Sequence, residues 1–221
     1  MLPTIVAREA RENLLDYLRA TFGLKDEEFE RVLFEHLSGG DGLFRGPYLD
    51  VRLPFRQVVD GAKIPLDVRP GFTPYRHQMR SFQRLHSMRG HQPQHTLVTT
   101  GTGSGKTECF LYPVLDHCLR ERAKGRKGIK AILLYPMNAL ATDQARRLAK
   151  VLWDDDRLKG VVTAGLYVGG EATHPIADRD HLIDDRKVLR QSPPDILLTN
   201  YKMLDFMLMR PEDQVLWRGN E

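Results

Sequence analysis

From Thr96 onward, short β-branched or apolar runs alternate with stretches of helical periodicity, and this alternation limits the fold more than any other feature. Thr96–Thr100, Ile129–Tyr135, Val161–Val168 and Asp195–Thr199 read as strands. Helical patterns lie between them, at Gly105 to about Lys124, at Asn138–Trp153 and around Asp180–Arg190, with a turn at Gly125–Gly128. Strands separated by helices of about 10–15 residues are joined by crossovers, which makes the sheet parallel and puts helices on both faces. The expected fold class is therefore α/β, a doubly wound parallel sheet. Such sheets hold ligands at the carboxyl ends of their strands.

The first third differs. Ile5, Leu14, Leu15, Leu18 and Phe22 fall at helical spacings until Gly23. Asp26 is placed to cap a second helix with Phe29, Val32, Leu33, Phe34 and Leu37 on its apolar face, ending at Ser38-Gly39-Gly40. From Gly42 to Pro70 the chain is rich in Gly and Pro (Gly46-Pro47, Pro54, Gly61, Pro65), which predicts an extended run over a neighbouring surface. Thr73-Pro74 then opens a helix through about Arg89. The expected division is 1–41, a small helical region; 42–70, an extended linker; and 71–221, the α/β lobe.

The loop Thr100-Gly101-Thr102-Gly103-Ser104-Gly105-Lys106-Thr107 joins a predicted strand to a predicted helix, the context in which such a sequence cradles phosphates. Glycines let main-chain amides approach an anion closely, and the following helix adds its N-terminus. Lys106 would reach the β- and γ-phosphates of ATP, and the Thr107 hydroxyl would ligate Mg²⁺. The general pattern begins with Gly where this chain has Thr100.

With Glu108 added, this loop resembles motif I of superfamily 2 helicases of the DEAD/DEAH-box kind, which commonly replace the first glycine. The resemblance implies a RecA-like lobe. It also implies an upstream adenine-reading element, an aromatic residue followed by glutamine. Phe72-Thr-Pro-Tyr75-Arg-His-Gln78 matches that element, about 28 residues before Lys106. A glutamine amide offers both donor and acceptor to the N6/N7 edge of adenine, and Phe72 or Tyr75 would stack on the ring.

Tyr135-Pro136-Met-Asn138-Ala-Leu-Ala-Thr142-Asp-Gln144 resembles motif Ia, which holds the backbone of the tracked strand. Asn138 and Thr142 lie four apart on one helical face. Gly169-Gly170 resembles the family's glycine doublet, and Leu198-Thr199-Asn200 its motif Ib, with Thr199 and Asn200 aimed at phosphate. The partner implied is nucleic acid, specifically DNA with a single-stranded segment, bound largely without regard to sequence. The wording around Thr199-Asn200, with Arg45-Gly46-Pro47-Tyr48-Leu49, resembles Lhr-type and mitomycin-repair helicases and those of the antiphage systems DISARM and Druantia. This adds antiviral defence or repair subunits as expected partners. The helicase resemblance covers roughly residues 70–210.

Composition agrees with a soluble globular protein, at 41% hydrophobic and 28% charged residues. No apolar run approaches the ~20 residues of a membrane helix, and Arg8, Glu9, Arg11 and Glu12 interrupt any signal-peptide pattern. A cytoplasmic setting without membrane contact is expected. Cys109 and Cys118 read as core thiols. The net charge of +4 suits a polyanion, although the basic cluster Arg120–Lys130 reads as a solvated helix end and turn. The eight histidines show no ligand spacing, and His174 and His181 are expected in solvent.

A helicase also needs an Asp-Glu pair at the end of an apolar strand to hold Mg²⁺ and orient water. Asp154-Asp155-Asp156 continues a helix and Asp184-Asp185 lies in a polar stretch, so neither qualifies. The chain is expected to be the front part of a larger motor, incomplete at its C-terminus and inactive alone. Two other readings compete: another P-loop NTPase, such as a kinase or AAA-type ATPase, and a non-catalytic adaptor.

Overall fold

The computed structural model describes residues 3–40, 42–43, 54–59, 61–170 and 173–218. Arg45–Leu49, with most of the segment from 42 to 53, lie outside the described residues. The chain divides into two compact units, Met1–Pro54 and Phe55–Glu221.

The first unit holds α1 (Pro3–Phe22) and α2 (Glu27–Ser38). Asp26 caps α2 as its sequence suggests, accepting from the amides of Glu28 and Phe29 at 3.0 and 3.1 Å. Phe34 is buried, with the Arg19 guanidinium 4.8 Å from its ring centroid. Phe29, Val32 and Leu33 are exposed.

The second unit contains α3 (Arg76–Leu85), α4 (Lys106–Ala123), β1 (Ala131–Tyr135), α5 (Asn138–Asp154), β2 (Ala164–Tyr167), α6 (Arg186–Gln191), β3 (Ile196–Asn200) and α7 (Tyr201–Met209). The sheet is parallel with order β1-β3-β2. Side chains alternate across β3: Ile196 and Leu198 join Leu111, Leu115, Ala145 and Leu148 of α4 and α5, whereas Leu197 joins Leu189, Met203 and Met207 of α6 and α7. Helices thus cover both faces of β3, as the centre of a doubly wound sheet requires. Gly165 in β2 allows the close approach of α6, since a Cβ there would sit 2.4 Å from the Leu189 Cδ2.

Asp195, fully buried just before β3, ties the amino ends of the strands together. It accepts from Arg122 Nε at 2.7 Å, Lys130 Nζ at 2.6 Å and the Thr163 amide at 2.8 Å. Between Phe55 and Pro70 the described residues form no strand or helix, but Leu66 and Val68 contribute to the lobe's core. Buried Asp116 of α4 holds it by accepting the amides of Asp67 and Val68 at 2.6 and 2.9 Å.

Three expectations need correction. Thr96–Thr100 forms no buried strand: it has no strand neighbour among the described residues to pair its backbone groups, and Leu97 is 87% exposed. The helix from Pro74 stops at Leu85 instead of running to Arg89, because His86 turns extended and a short 3₁₀ turn, Met88–Gly90, follows. The helix expected around Asp180–Arg190 shrinks to Arg186–Gln191. Upstream of it, Asp178 and Asp184 draw the amides of Asp180, His181, Thr173 and His174 into side-chain bonds, an alternative to helix.

Candidate nucleotide and nucleic-acid site

The phosphate loop is held from beneath by the start of α3. Gln78 is buried; its Oε1 accepts from the Tyr75 amide at 2.8 Å and its Nε2 donates to the Gly105 carbonyl at 3.1 Å. His77 Nε2 lies 2.8 Å from the Ser104 carbonyl. Gly105 caps α4 at φ 69°, and a Cβ there would meet Gln78 Nε2 at 2.4 Å, so both conformation and space require glycine. Within the loop, buried Ser104 and half-buried Thr100 share a hydroxyl contact at 2.5 Å. Lys106 is exposed and folds back, donating to the carbonyls of Thr100 and Gly101 at 2.9 Å each. Gly101, Thr102 and Gly103 are exposed and Thr107 is half-buried. Glu108 pairs with Arg147 of α5, and its Oε2 is buried without a hydrogen-bond partner.

The two aromatic candidates part company. Tyr75 stacks on His77 with centroids 5.6 Å apart, and Phe55 closes that cluster at 5.6 Å from Tyr75. The Phe55 ring also lies against the loop, 3.6 Å from where a Gly101 Cβ would stand. Phe72 instead meets Tyr112 of α4 edge-on at 6.0 Å. Neither Phe55 nor His77 was legible as a loop neighbour, because each gets there through tertiary folding.

At the carboxyl ends of the strands, the three elements expected to face nucleic acid converge. Asn138 opens α5 and its Oδ1 accepts from Asn200 Nδ2, while Asn200 caps α7 by accepting the Met203 amide at 2.8 Å. Asn138 Nδ2 also lies 3.6 Å from the Cβ position of Gly169. Pro136, Asn138, Gly169 and Gly170 are exposed. Arg186, which no motif pointed to, donates to the carbonyls of Val168 and Gly170 at 2.9 and 3.4 Å and so fixes the glycine doublet. Thr142 and Gly169 line a cavity of about 270 Å³ with Arg146, His174 and His181.

Thr199 is a correction. It is fully buried, and its hydroxyl donates to the Tyr167 carbonyl at 2.6 Å, so it joins β3 to β2 and does not face a phosphate. His174 and His181 also depart from the solvated expectation: they are half-buried and stacked at 4.0 Å. Asp184 beside His174 would have its pKa raised by burial, but hydrogen bonds from His174 and Thr173 outweigh this and hold it low. The basic cluster is largely spent on internal pairs: Arg120 with Asp116, Arg122 and Lys130 with Asp195, Lys124 and Arg126 with Glu121. Cys109 and Cys118 are free, buried thiols. Among the described residues, no group of three or more His, Cys, Asp or Glu is placed to hold a metal ion, and no helix is long and apolar enough to cross a membrane.

Residues 75–218 match the DEAD/DEAH box helicase family. The chain belongs to that family. This DEAD/DEAH box segment is 29% identical over 167 residues to the Druantia protein DruE of Escherichia coli strain UMEA 4076-1, covering 67% of this chain and 9% of that one. It is 37% identical over 138 residues to the Lhr helicase/uracil glycosylase of E. coli K12, covering 58% and 8%. It is 32% identical over 133 residues to the DEAD-box ATP-dependent RNA helicase 41 of Oryza sativa subsp. japonica, covering 56% and 23%. The chain therefore spans less than a tenth of the first two relatives, at 9% and 8%. No solved structure matches the chain. The Lhr-type and Druantia likeness read from the sequence agrees with these relatives.

Proposed function

We propose that this chain is a segment of an ATP-dependent superfamily 2 helicase or translocase. Its parent acts in the cytoplasm on DNA with a single-stranded segment, in antiphage defence or repair alongside other subunits. The loop suits a polyphosphate: Gly103 is left-handed with open space about it, and Lys106 reaches the loop's mouth. There Lys106 exchanges two carbonyls for phosphate oxygens, and Thr107 supplies a hydroxyl for Mg²⁺. Bound ATP–Mg²⁺ supplies the free energy of phosphoryl transfer. The chain's own part is to orient it: Tyr75 flanks the base and Gln78, whose amide retains one hydrogen and one lone pair, reads adenine. Asn138, Thr142, Gly169 and Gly170 hold the backbone of one strand, and buried Asn200 positions Asn138 for it.

The observation that carries this reading is the bond from Asn200 to Asn138, which joins two strand-end elements beside the glycine doublet. Binding of a homopolymeric and a mixed single-stranded DNA to wild type and Asn138→Ala/Asn200→Ala, across a salt series, tests it. Equal affinity for the two sequences, falling with salt and lowered by the double substitution, is expected. A strong preference for one sequence, indifference to the substitution, or tighter binding of RNA of the same sequence overturns it.

A further inference from the structure

At the far end of α3 from the phosphate loop lies a cavity of about 570 Å³ that no motif pointed to. The helix has ten residues, so the two ends are about 15 Å apart. The floor is apolar, made by Ile64, Leu66 and Met88, and Lys63, Arg69 and Arg89 bring cations to it. Its acidic residue is Asp67, whose carboxylate pairs with Arg120 outside the lining, at 3.5 Å. Among the described residues, Arg89 has no carboxylate partner, and Arg69 is tied only through Nε, at 3.4 Å from the Leu66 carbonyl.

Two further observations point to a ligand. Arg89, at φ 51° and ψ 36°, is the one non-glycine residue with positive φ among the described residues. Such conformations persist where the surroundings impose them, and they concentrate at ligand clamps. Beside it His86 and His91 stack with centroids 4.0 Å apart. They are pinned by a 2.8 Å bond from His91 Nδ1–H to the His86 carbonyl and by the Met88 amide on His86 Nδ1 at 3.3 Å. Burial, with His91 and Arg120 nearby, lowers the His86 pKa below the usual imidazole value.

We propose that this cavity is a second nucleotide-binding site, taking a base against the apolar floor and the stacked imidazoles and the phosphate on Arg69 and Arg89. Its size falls within the roughly 300–1,000 Å³ of small-molecule sites. A bare phosphate would leave Ile64 and Met88 in water, whereas a planar base covers them. The nucleotide is either free or one unit of a nucleic-acid strand; both offer the same base and phosphate.

The test uses the full chain carrying Lys106→Ala, which removes the phosphate loop's main contact. Adenosine monophosphate, a short oligodeoxyadenylate and inorganic phosphate are titrated separately, and the ring-proton resonances of His86 and His91 are followed by NMR. Their assignment comes from His86→Gln and His91→Gln. The nucleotide probes should shift both histidines, with affinity reduced about tenfold by Arg69→Gln/Arg89→Gly through the loss of charge-assisted contacts. Arg89→Gly also eases the left-handed backbone, so its folded state is retained and lost binding is not lost folding. A response to the oligonucleotide alone assigns the site to a strand, and a response to the monophosphate alone to a free nucleotide; either upholds it. Equal shifts with inorganic phosphate, no shift with either nucleotide probe, or undiminished affinity in the double variant overturns it. The readout is local to these histidines, so failure at Asn138 and Asn200 would leave it unchanged.

Discussion

The Gln78 side chain donates to the main-chain carbonyl of Gly105, 3.1 Å away, and thereby fastens the phosphate loop to α3. Its other amide atom is equally engaged, accepting from the Tyr75 amide. Gln78→Ala should therefore lower stability by about 1–3 kcal/mol, the cost of leaving buried partners unsatisfied. It should also weaken discrimination between ATP and GTP. Thermal melts and competition binding check the two effects, and a melt unchanged from wild type would contradict the first.

Lys106 differs, because its contacts to Thr100 and Gly101 are exposed. Lys106→Ala should change the stability of the free chain by no more than about 0.5 kcal/mol, as for an ordinary surface substitution. The upward shift in melting temperature produced by ATP–Mg²⁺ should vanish in the variant. Persistence of that shift would place the triphosphate elsewhere.

Thr199 and Asn200 are adjacent but should separate in their phenotypes. Thr199→Val removes a buried hydroxyl from the Tyr167 carbonyl and should cost about 1–3 kcal/mol while leaving the salt dependence of DNA binding unchanged. Asn200→Ala removes the α7 cap, worth about 0.5–2 kcal/mol, and breaks the contact with Asn138 as well. DNA affinity should fall only in the second variant. Denaturant titration beside fluorescence anisotropy distinguishes them.

Burial pushes the Cys118 thiol up to about 12, reinforced by the Asp195 carboxylate. In the unfolded chain the thiol ionises near its usual value of about 8.5. Above that pH the unfolded state releases a proton that the folded state keeps, so this contribution to stability is complete below pH ~8.5 and declines toward the folded value. Cys118→Ala should flatten the alkaline limb of a stability–pH curve. Native Cys118 should also resist thiol reagents until the chain unfolds.

Much of the lobe was legible because β3 is covered on both faces and reads as an unbroken apolar run, Ile196–Leu198. The cap Asp26 acts through local geometry, which spacing alone conveys; in the sequence Asn200 reads only as a phosphate contact, and its capping of α7 comes from the structure. Thr96–Thr100 misled because a strand is a property of a pair, and the residues themselves carry no sign of a neighbour. Thr199 misled for a related reason: a hydroxyl at a strand end can serve a ligand or the adjacent strand, and only the register with Tyr167 decides. Phe55, Arg186 and the His174–His181 stack come from loops and helix starts whose side chains meet only after folding.

The parallel edge of β1 carries a consequence for handling the protein. β1 pairs with β3 on one side and has no strand on the other among the described residues, while Ile132 and Leu134 are 39% and 50% exposed. An uncapped edge with an apolar flank is a template for self-association. Solubility of the 221-residue chain will thus be limited by concentration before it is limited by unfolding. A charge placed at Ile132 or Leu134 should raise that ceiling without disturbing the phosphate loop.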